Sequence, residues 1–238
     1  MRAIFLSDAH LQQPDDSNYR LLLDFLNSLR GTVDTLCILG DLFDFRVGLP
    51  GLCFPEHEPL LQVLHELGKN GTRLIYLEGN HDFHLQEELT RRLGAEVYPG
   101  PVTLELHGLR ILLCHGDLIN RADWRYRLLH RVLRHPMVYR LAGMLPQSSI
   151  EQLRHKLQHK SKGRYRHDRS RWDYRAIIRS YAASVRSQGH DALLLGHFHL
   201  PFIECQDQFV LVSLGDWISQ FSYAELSEGQ LRLLTYQP

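Results

Sequence analysis

Residues 192–201 read ALLLGHFHLP, an apolar run followed at once by two histidines. Leucines at 193–195 are typical of a strand that is buried on both faces of a sheet. Gly196 ends that strand, and His197 and His199 then point to the same side because side chains alternate along an extended chain. Two imidazoles that leave one buried strand in one direction favour a metal site over a purely structural role.

Other strand-like segments of the chain end in the same way, with Asp, Asn or His and usually with a glycine. Asp and Asn favour turns for local reasons, so one such strand end would indicate little. Five in order are more specific, because the carboxyl ends of strands in an α/β sheet form sites and glycine allows close approach. The five strand ends are Asp8-Ala9-His10, Gly40-Asp41, Gly79-Asn80-His81-Asp82, His115-Gly116-Asp117 and Gly196-His197-Phe198-His199.

The order of the segments predicts the fold class. Stretches at 18–30 and 59–71 carry apolar residues at helical spacing between strand-like runs. The segments 102–117 and 223–236 are typical of hairpins, with turns at His107-Gly108 and at Glu228-Gly229-Gln230. We therefore predict an α/β fold with mixed sheets, in which two packed sheets are covered by helices.

Composition is ordinary for a soluble globular protein, with 44% hydrophobic and 23% charged residues in 238. The apolar run near the N-terminus has four residues, which is too short for a signal-peptide core. No segment approaches the roughly 18–20 apolar residues of a membrane span. The four cysteines lack C-x-x-C spacing, and Cys37 and Cys114 lie in strand-like runs, which favours buried free thiols. These features predict a cytoplasmic location.

The candidate ligands limit the choice of metal. Carboxylates, imidazoles and an amide oxygen without thiolates suit divalent Mn²⁺, Fe²⁺, Zn²⁺ or Co²⁺. There are too many candidates for one tetrahedral ion, whereas two ions that share one carboxylate would use them all. Bridged ions sit about 3.5–4 Å apart, a spacing that suits in-line displacement at phosphorus. The sequence therefore predicts a site with two ions, and Mn²⁺ is the leading candidate.

The order D-x-H, G-D, G-N-H-D, H-G and G-H-x-H, from Asp8 to His199, resembles the calcineurin-like metallophosphoesterases. The resemblance implies a four-layered αββα sandwich. It implies that one ion is held by Asp8, His10, Asp41 and His199. It implies that the other ion is held by Asp41, Asn80, His115 and His197. His81 would lie near the leaving oxygen as a general acid or charge stabiliser, with Asp82 accepting a ring N–H from it.

The stretch LGDLFDFRVG at 39–48 and a long insertion at 120–180 resemble a narrower family, the UDP-2,3-diacylglucosamine hydrolases of the lipid A pathway. In that family the insertion is a helical lid that holds two acyl chains, and the products are UMP and 2,3-diacylglucosamine 1-phosphate. Its best-known members carry arginine where this chain has His81. The resemblance implies a core at 1–119 and 181–238 with a lid at 120–180. The substrate-binding candidates in the lid are Asp123, Tyr126, Lys160, Ser161, Lys162 and Arg164.

The insertion is also distinctive in charge. It holds 16 Lys or Arg and 4 Asp or Glu, against 11 and 23 in the rest of the chain. The segment 122–134 predicts a basic amphipathic helix, which suits an anionic lipid or an anionic membrane surface. We expect a peripheral contact with the inner face of the inner membrane. The alternative is that the apolar side of this helix packs on the core. The apolar positions are Trp124, Leu128, Leu129, Val132 and Leu133.

Two other functions fit parts of the sequence. The second half of the insertion interleaves Tyr165, Trp172 and Tyr174 with basic residues such as Arg166 and Arg169, a pattern that can grip a nucleic-acid strand. The density of Trp and Leu at 124–145 suits acyl chains better, which disfavours that interpretation. A non-catalytic scaffold of the same fold would have lost metal ligands, and every motif position is filled here.

Overall fold

In the part of the chain that the computed structural model describes, residues 1–49, 51–146, 149–150 and 171–237, there are thirteen strands and six α-helices. The strands are β1 (Arg2–Leu6), β2 (Thr35–Ile38), β3 (Arg46–Val47), β4 (Arg73–Leu77), β5 (Asp82–Phe83), β6 (Glu96–Tyr98), β7 (Val102–Leu106), β8 (Leu109–Cys114), β9 (Ala192–Leu195), β10 (Phe202–Gln206), β11 (Phe209–Ser213), β12 (Ser222–Ser227) and β13 (Gln230–Thr235). The helices are α1 (Ser17–Ser28), α2 (Glu58–Lys69), α3 (Gln86–Leu93), α4 (Trp124–Leu133), α5 (Pro136–Ala142) and α6 (Tyr174–Ser187).

The first sheet has the strand order β13-β12-β1-β2-β4-β6. Its strands β1, β2, β4 and β6 are parallel, and the hairpin β12–β13 extends it in the antiparallel sense beside β1. Parallel strands need crossover connections, and α1 and α2 provide them along the chain. All four residues of β2 are buried, which explains why residues 36–38 are consecutively apolar rather than alternating.

The second sheet has the order β10-β11-β9-β8-β7, with β8, β9 and β11 parallel. The leucine run at 193–195 lies in β9, which is at the centre of this sheet with every residue buried, as predicted. The predicted hairpins are also confirmed. His107 and Gly108 turn β7 into β8 with φ of 53° and 78°, and Glu228 and Gly229 turn β12 into β13 with 52° and 74°. Consecutive positive φ values match the tight turns of two-residue hairpins.

Three apolar clusters define four layers. Between the sheets, side chains such as Phe5 and Leu39 of the first sheet contact the inner face of the second, including Leu194. The helices α1, α2 and α3 cover the outer face of the first sheet, where Trp217 is fully buried. Helix α6 covers the outer face of the second sheet through residues such as Ile178. The predicted αββα sandwich is therefore the observed fold.

The insertion is attached to this core on one side. Helices α4 and α5 contain no buried residue, and Leu133 and Tyr139 contact a small apolar cluster that includes Phe45 and Phe83. Helix α6 begins within the span 120–180 and continues beyond it, so a division of the chain at residue 180 passes through a helix of the core. Ile178, on the insertion side of that division, is fully buried.

We predict that Leu194→Ala lowers the free energy of unfolding by about 2–5 kcal/mol, because the change leaves a cavity between the sheets. The matched control is Leu129→Ala, the same chemical change at a side chain that is 42% exposed. That control should stay within about 0.5 kcal/mol of the parent protein. Urea denaturation followed by circular dichroism measures both, and equal losses would contradict the assignment of the inter-sheet core.

Candidate metal centre

The strand ends meet at one edge of the sandwich. Asp8 follows β1, Asp41 follows β2 and Asn80 follows β4, all in the first sheet. His115 comes directly after β8, and His197 follows β9, both in the second sheet. Because β1, β2 and β4 are parallel to one another, as are β8 and β9, their carboxyl ends lie at the same edge of each sheet. The two packed sheets thus contribute ligands to one place.

Backbone geometry at this edge is unusual. Positive φ is uncommon for residues other than glycine, and sparsely populated backbone conformations cost about 1–3 kcal/mol each where the surrounding structure holds them. The backbone N–H of Asp8 donates to the carbonyl of Gly40 at 3.1 Å, and that of His197 donates to the Asp8 carboxylate at 2.8 Å. The candidate ligands with positive φ are Asp8 (56°), His10 (46°), Asp41 (53°), His197 (70°) and His199 (49°).

One group of candidate ligands consists of Asp8, His10 and His199, whose ligand atoms lie within 4.8 Å of one another. The Nε2 atoms of the two histidines are 3.3 Å apart. The Oδ1 atom of Asp8 lies 3.4 Å from Nε2 of His199 and 3.8 Å from Nε2 of His10. Oδ1 is buried and makes no hydrogen bond within the described residues. An orphaned carboxylate oxygen facing two imidazole nitrogens is suited to a cation.

A second group consists of Asp41, His115 and His197. The Oδ1 atom of Asn80 joins it, 3.0 Å from Nε2 of His115 and 3.0 Å from Nδ1 of His197. The Oδ2 atom of Asp41 lies 3.4 Å from Nε2 of His115 and 3.8 Å from Nε2 of His10. The Asp41 carboxylate therefore stands between the two groups, where a shared ligand is required. The structure thus brings together all seven side chains that the sequence indicated as ligands.

Glycines make this approach possible. A Cβ atom on Gly79 would lie 2.2 Å from Oδ1 of Asp41 and 2.6 Å from its backbone nitrogen. A Cβ atom on Gly40, where φ is 89°, would lie 2.8 Å from Nδ1 of His115. All three distances are far inside van der Waals contact, so the loops that carry Asp41 and Asn80 could not close around a larger residue. The glycines that mark the motif are steric requirements of the site.

Burial and local charge set the protonation states of the candidate ligands in both groups. Burial lowers the pKa of His10 to about 3 and that of His197 to about 4, which keeps both rings neutral and able to donate a lone pair. Burial alone would raise the pKa of Asp8 and Asp41. The neighbouring histidines, His199 for Asp8 and His115 for Asp41, outweigh it and hold each pKa below its usual value. Anionic oxygens and neutral nitrogens are the donors that divalent metals prefer.

His199 is oriented by Asp216, a residue that the sequence analysis missed. Oδ2 of Asp216 lies 3.3 Å from Nδ1 of His199. Burial lowers the pKa of His199, but the hydrogen bonds with Asp216 and Asp8 outweigh it and raise the pKa to about 10. Gly215-Asp216 comes one residue after β11, at the same spacing as Gly40-Asp41 after β2. A metal that binds His199 must displace this proton, so acidic pH opposes metal binding.

The expected contact between His81 and Asp82 is replaced by a different arrangement. Nδ1 of His81 pairs with the carbonyl oxygen of Asp44 at 2.8 Å. The Asp82 carboxylate instead accepts the backbone N–H groups of Asp41 at 2.9 Å and Gly79 at 2.8 Å. The reason is its burial: Asp82 is fully enclosed beneath the loop that follows β2. Asp82 thus positions the loop that carries Asp41 and leaves the His81 ring to Asp44.

Of the substrate-binding candidates, Asp123 and Tyr126 lie in the described residues. The Asp123 side chain caps α4 by accepting the backbone N–H of Tyr126 at 3.0 Å. The Tyr126 hydroxyl donates to Asp117 at 2.6 Å, and its ring lies 6.4 Å from that of His197. Tyr126 therefore borders the metal centre, while Asp123 fixes the start of the helix. Outside the described residues lie Lys160, Ser161, Lys162 and Arg164, and also Tyr165, Arg166 and Arg169.

An ion pair joins the insertion to the metal centre and was not anticipated from the sequence. Arg134, just after α4, donates from one guanidinium nitrogen to Glu78 at 2.6 Å and from another to the carbonyl of Gly79 at 2.8 Å. Glu78 is 5% exposed and also accepts the backbone N–H of Leu85 at 2.7 Å. Buried carboxylates need such partners, so the loop before Asn80 depends on a residue of the insertion.

Comparison with known proteins defines the class. The family model of the calcineurin-like phosphoesterases matches residues 1–201, and this chain belongs to that family. Calcineurin-like phosphoesterases are hydrolases with a dinuclear metal site, and the two ligand groups described above fit two divalent cations. The fold agrees with a solved structure described as a novel archaeal phosphodiesterase. That structure is 16% identical, with a TM-score of 0.52 over 99% of this chain and 100% of the other.

Curated relatives narrow the class further. A protein of Pseudomonas syringae pv. tomato is 30% identical over 97% of this chain and 94% of its own length. One of Haemophilus influenzae is 30% identical over 92% of this chain and 91% of its own length. Both relatives are named UDP-2,3-diacylglucosamine hydrolase. The similarity spans core and insertion alike.

We predict that Asp41→Ala abolishes turnover and leaves the protein without a tightly held metal pair, because the shared carboxylate lies between both ligand groups. Inductively coupled plasma mass spectrometry after dialysis measures the bound metal. Asp15→Ala is the control, since that side chain is 97% exposed. A variant that keeps two tightly bound ions and near-normal activity would disprove the ligand assignment.

Proposed function

We propose that this protein hydrolyses the pyrophosphate bond of UDP-2,3-diacylglucosamine and releases UMP and 2,3-diacylglucosamine 1-phosphate. Two divalent ions would serve the reaction, with Mn²⁺ as the first candidate and Fe²⁺, Zn²⁺ or Co²⁺ as alternatives. One observation carries the proposal: a ligand set for two cations lies beneath an insertion that exposes a basic and apolar surface. The names of the curated relatives support the same substrate.

The side chains of the centre have separate tasks in this reaction. When bound, the divalent ions supply Lewis acidity at the phosphoryl group and lower the pKa of a water molecule. Asp41 keeps the two ligand groups together, and Asn80 adds a neutral oxygen beside His115. Asp216 holds the His199 ring so that Nε2 faces Asp8. Ligands that are fixed before substrate arrives need no reorganisation during the reaction.

His81 is proposed to assist the leaving oxygen. Its Nδ1 donates to the Asp44 carbonyl, which can only accept, so the ring orientation is fixed. Its ring centroid lies 4.8 Å from that of His10, which places the side chain at the edge of the first ligand group. In the protonated ring Nε2 carries a second N–H, and this proton can be passed to the departing oxygen.

We predict that His81→Ala slows hydrolysis of substrates with basic leaving groups by about 100-fold or more and slows activated aryl phosphodiesters much less. Proton donation matters most when the leaving oxygen is a strong base. Steady-state rates on an alkyl and a 4-nitrophenyl phosphodiester provide the comparison. An equal loss on both substrates would contradict proton donation and leave charge stabilisation as the role of the ring.

Helix α4 places its polar side toward the protein and its apolar side toward solvent. Tyr126 and Arg134 point inward to their carboxylate partners. Trp124, Leu128 and Val132, one turn apart, are 63%, 53% and 46% exposed. The alternative, that the apolar side packs on the core, fits Leu133, which contacts the cluster with Phe45, but not these three exposed side chains. An apolar stripe that points outward on a basic helix is typical of a surface that meets lipid.

We propose that this surface binds the anionic inner face of the cytoplasmic membrane, where a diacylated substrate resides. Helix α5 and the residues after it extend the apolar area through Met137, Leu141 and Met144. The excess of basic residues at 120–180 complements anionic headgroups. Among the described residues, no helix has the length and apolar character that crossing a bilayer requires.

We predict that Leu128→Asp with Val132→Asp weakens binding to phosphatidylglycerol vesicles and lowers the ratio of lipid-substrate to soluble-diester turnover, because charge is disfavoured in an apolar phase. The melting temperature should hold, since both side chains are exposed. Ile203→Asp with Ile218→Asp is the matched control, because these residues are 39% and 49% exposed outside the insertion. Vesicle cosedimentation and paired rate assays give the measurement. An unchanged ratio in the folded variant would refute a lipid-binding surface.

A further inference from the structure

A cleft opens beside the metal centre, between the start of α4, the turn at 99–101 and the loop that follows β8. It has a volume of about 230 Å³. Pockets that enclose a whole drug-sized ligand are larger, roughly 300–1,000 Å³, so this cleft suits only part of a substrate. It is also too small to contain two long acyl chains.

The cleft shares a wall with the metal centre. His115 lines the cleft, and its Nε2 atom faces both Asp41 and Asn80. A phosphoryl group held at the metal centre would therefore have the cleft directly beside it. A group attached to phosphorus that extends toward His115 would therefore enter this cleft.

A buried apolar cluster lies near the first ligand group. Asp44 contacts His10 and His81, and the next residue, Phe45, belongs to the apolar cluster that joins the core to the insertion. Phe83 belongs to the same cluster. Phe45 and Phe83 are each 8% exposed, so this cluster packs between the core and the insertion, whereas the cleft on the His115 side is open to a substrate.

The cleft offers groups that suit a nucleotide. Arg121 and Arg127 line it, and neither takes part in an ion pair with any residue that the structure describes. Guanidinium planes stack on nucleobases and donate to phosphate and ribose oxygens. Pro99, Leu118 and Tyr181 add apolar walls. This combination of apolar walls and available cations suits a nucleobase together with its phosphate.

We propose that this cleft is the subsite for the nucleoside half of the substrate and that Arg121 and Arg127 contact the nucleotide there. The proposal rests on the proposed function, since it assigns a place to the nucleoside of a nucleoside diphosphate substrate. It adds a position for the nucleoside, on the His115 side of the metal centre.

The experiment compares UMP with inorganic phosphate as inhibitors of bis(4-nitrophenyl) phosphate hydrolysis by the Mn²⁺-loaded protein. Phosphate reports on the metal centre alone, whereas UMP reports on the metal centre and the cleft together. UMP should inhibit at a lower concentration than phosphate. Arg121→Ala with Arg127→Ala should raise the inhibition constant of UMP by about tenfold or more, since hydrogen bonds to charged groups are lost. The constant of phosphate should change little.

The matched control is Arg125→Ala with Arg140→Ala, which removes the same charge from α4 and α5 outside the cleft. In this control, UMP should still inhibit at a lower concentration than phosphate. The proposal is overturned by any of three results: no advantage of UMP in the parent protein, an equal loss in the control, or equal rises of both constants in the cleft variant. If the double variant melts early, Arg127→Gln alone provides the same comparison.

Failure of this proposal and failure of the proposed function give different results. A protein that cleaves UDP-2,3-diacylglucosamine but gains nothing from the nucleoside of UMP refutes the subsite alone. A protein in which UMP outcompetes phosphate through Arg121 and Arg127, but which leaves the lipid substrate intact, supports the subsite and refutes the lipid substrate.

Discussion

The rest of the metal centre depends on the position of the Asp41 carboxylate. It is 2% exposed, and an uncompensated charge there would be strongly destabilising. Its Oδ1 accepts the backbone N–H of His81 at 2.8 Å, which leaves Oδ2 directed between the two ligand groups. Asp82 holds the Asp41 backbone, and Gly79 gives the carboxylate room. Residues of the segment that follows β4 thus serve to place one oxygen atom of the loop that follows β2.

Sequence periodicity was sufficient for the parts of the fold that are regular. The all-apolar β9, the two hairpins and the helices α1 and α2 follow from local pattern, and the ligands follow from their positions after strands. The two-residue strands β3 and β5 were missed because they are too short to show a period. Helix α3 carries apolar residues at only two buried positions, Leu89 and Leu93, which gives a weak signal.

Tertiary relations explain the remaining differences. The sequence shows that α4 is amphipathic, but only the fold decides that its polar side faces the protein through Tyr126 and Arg134. The partner of Asp82 depends on how the loop after β2 folds over it. The insertion was bounded at residues 120–180 from its place between the motifs and from the resemblance, whereas the burial of Ile178 in α6 depends on the second sheet. Which way a side chain faces and how deeply it is buried depend on the assembled layers and not on local sequence.

The ligands come from both sheets, and this has a consequence for when the centre forms during folding. Asp8 and Asp41 extend from one layer and His115 and His197 from the other, so neither layer alone contains a complete ligand group. A complete ligand group therefore forms only where the two layers have packed together. Because ions bind this closed state in preference to the open one, each bound ion adds to the free energy that holds the layers together.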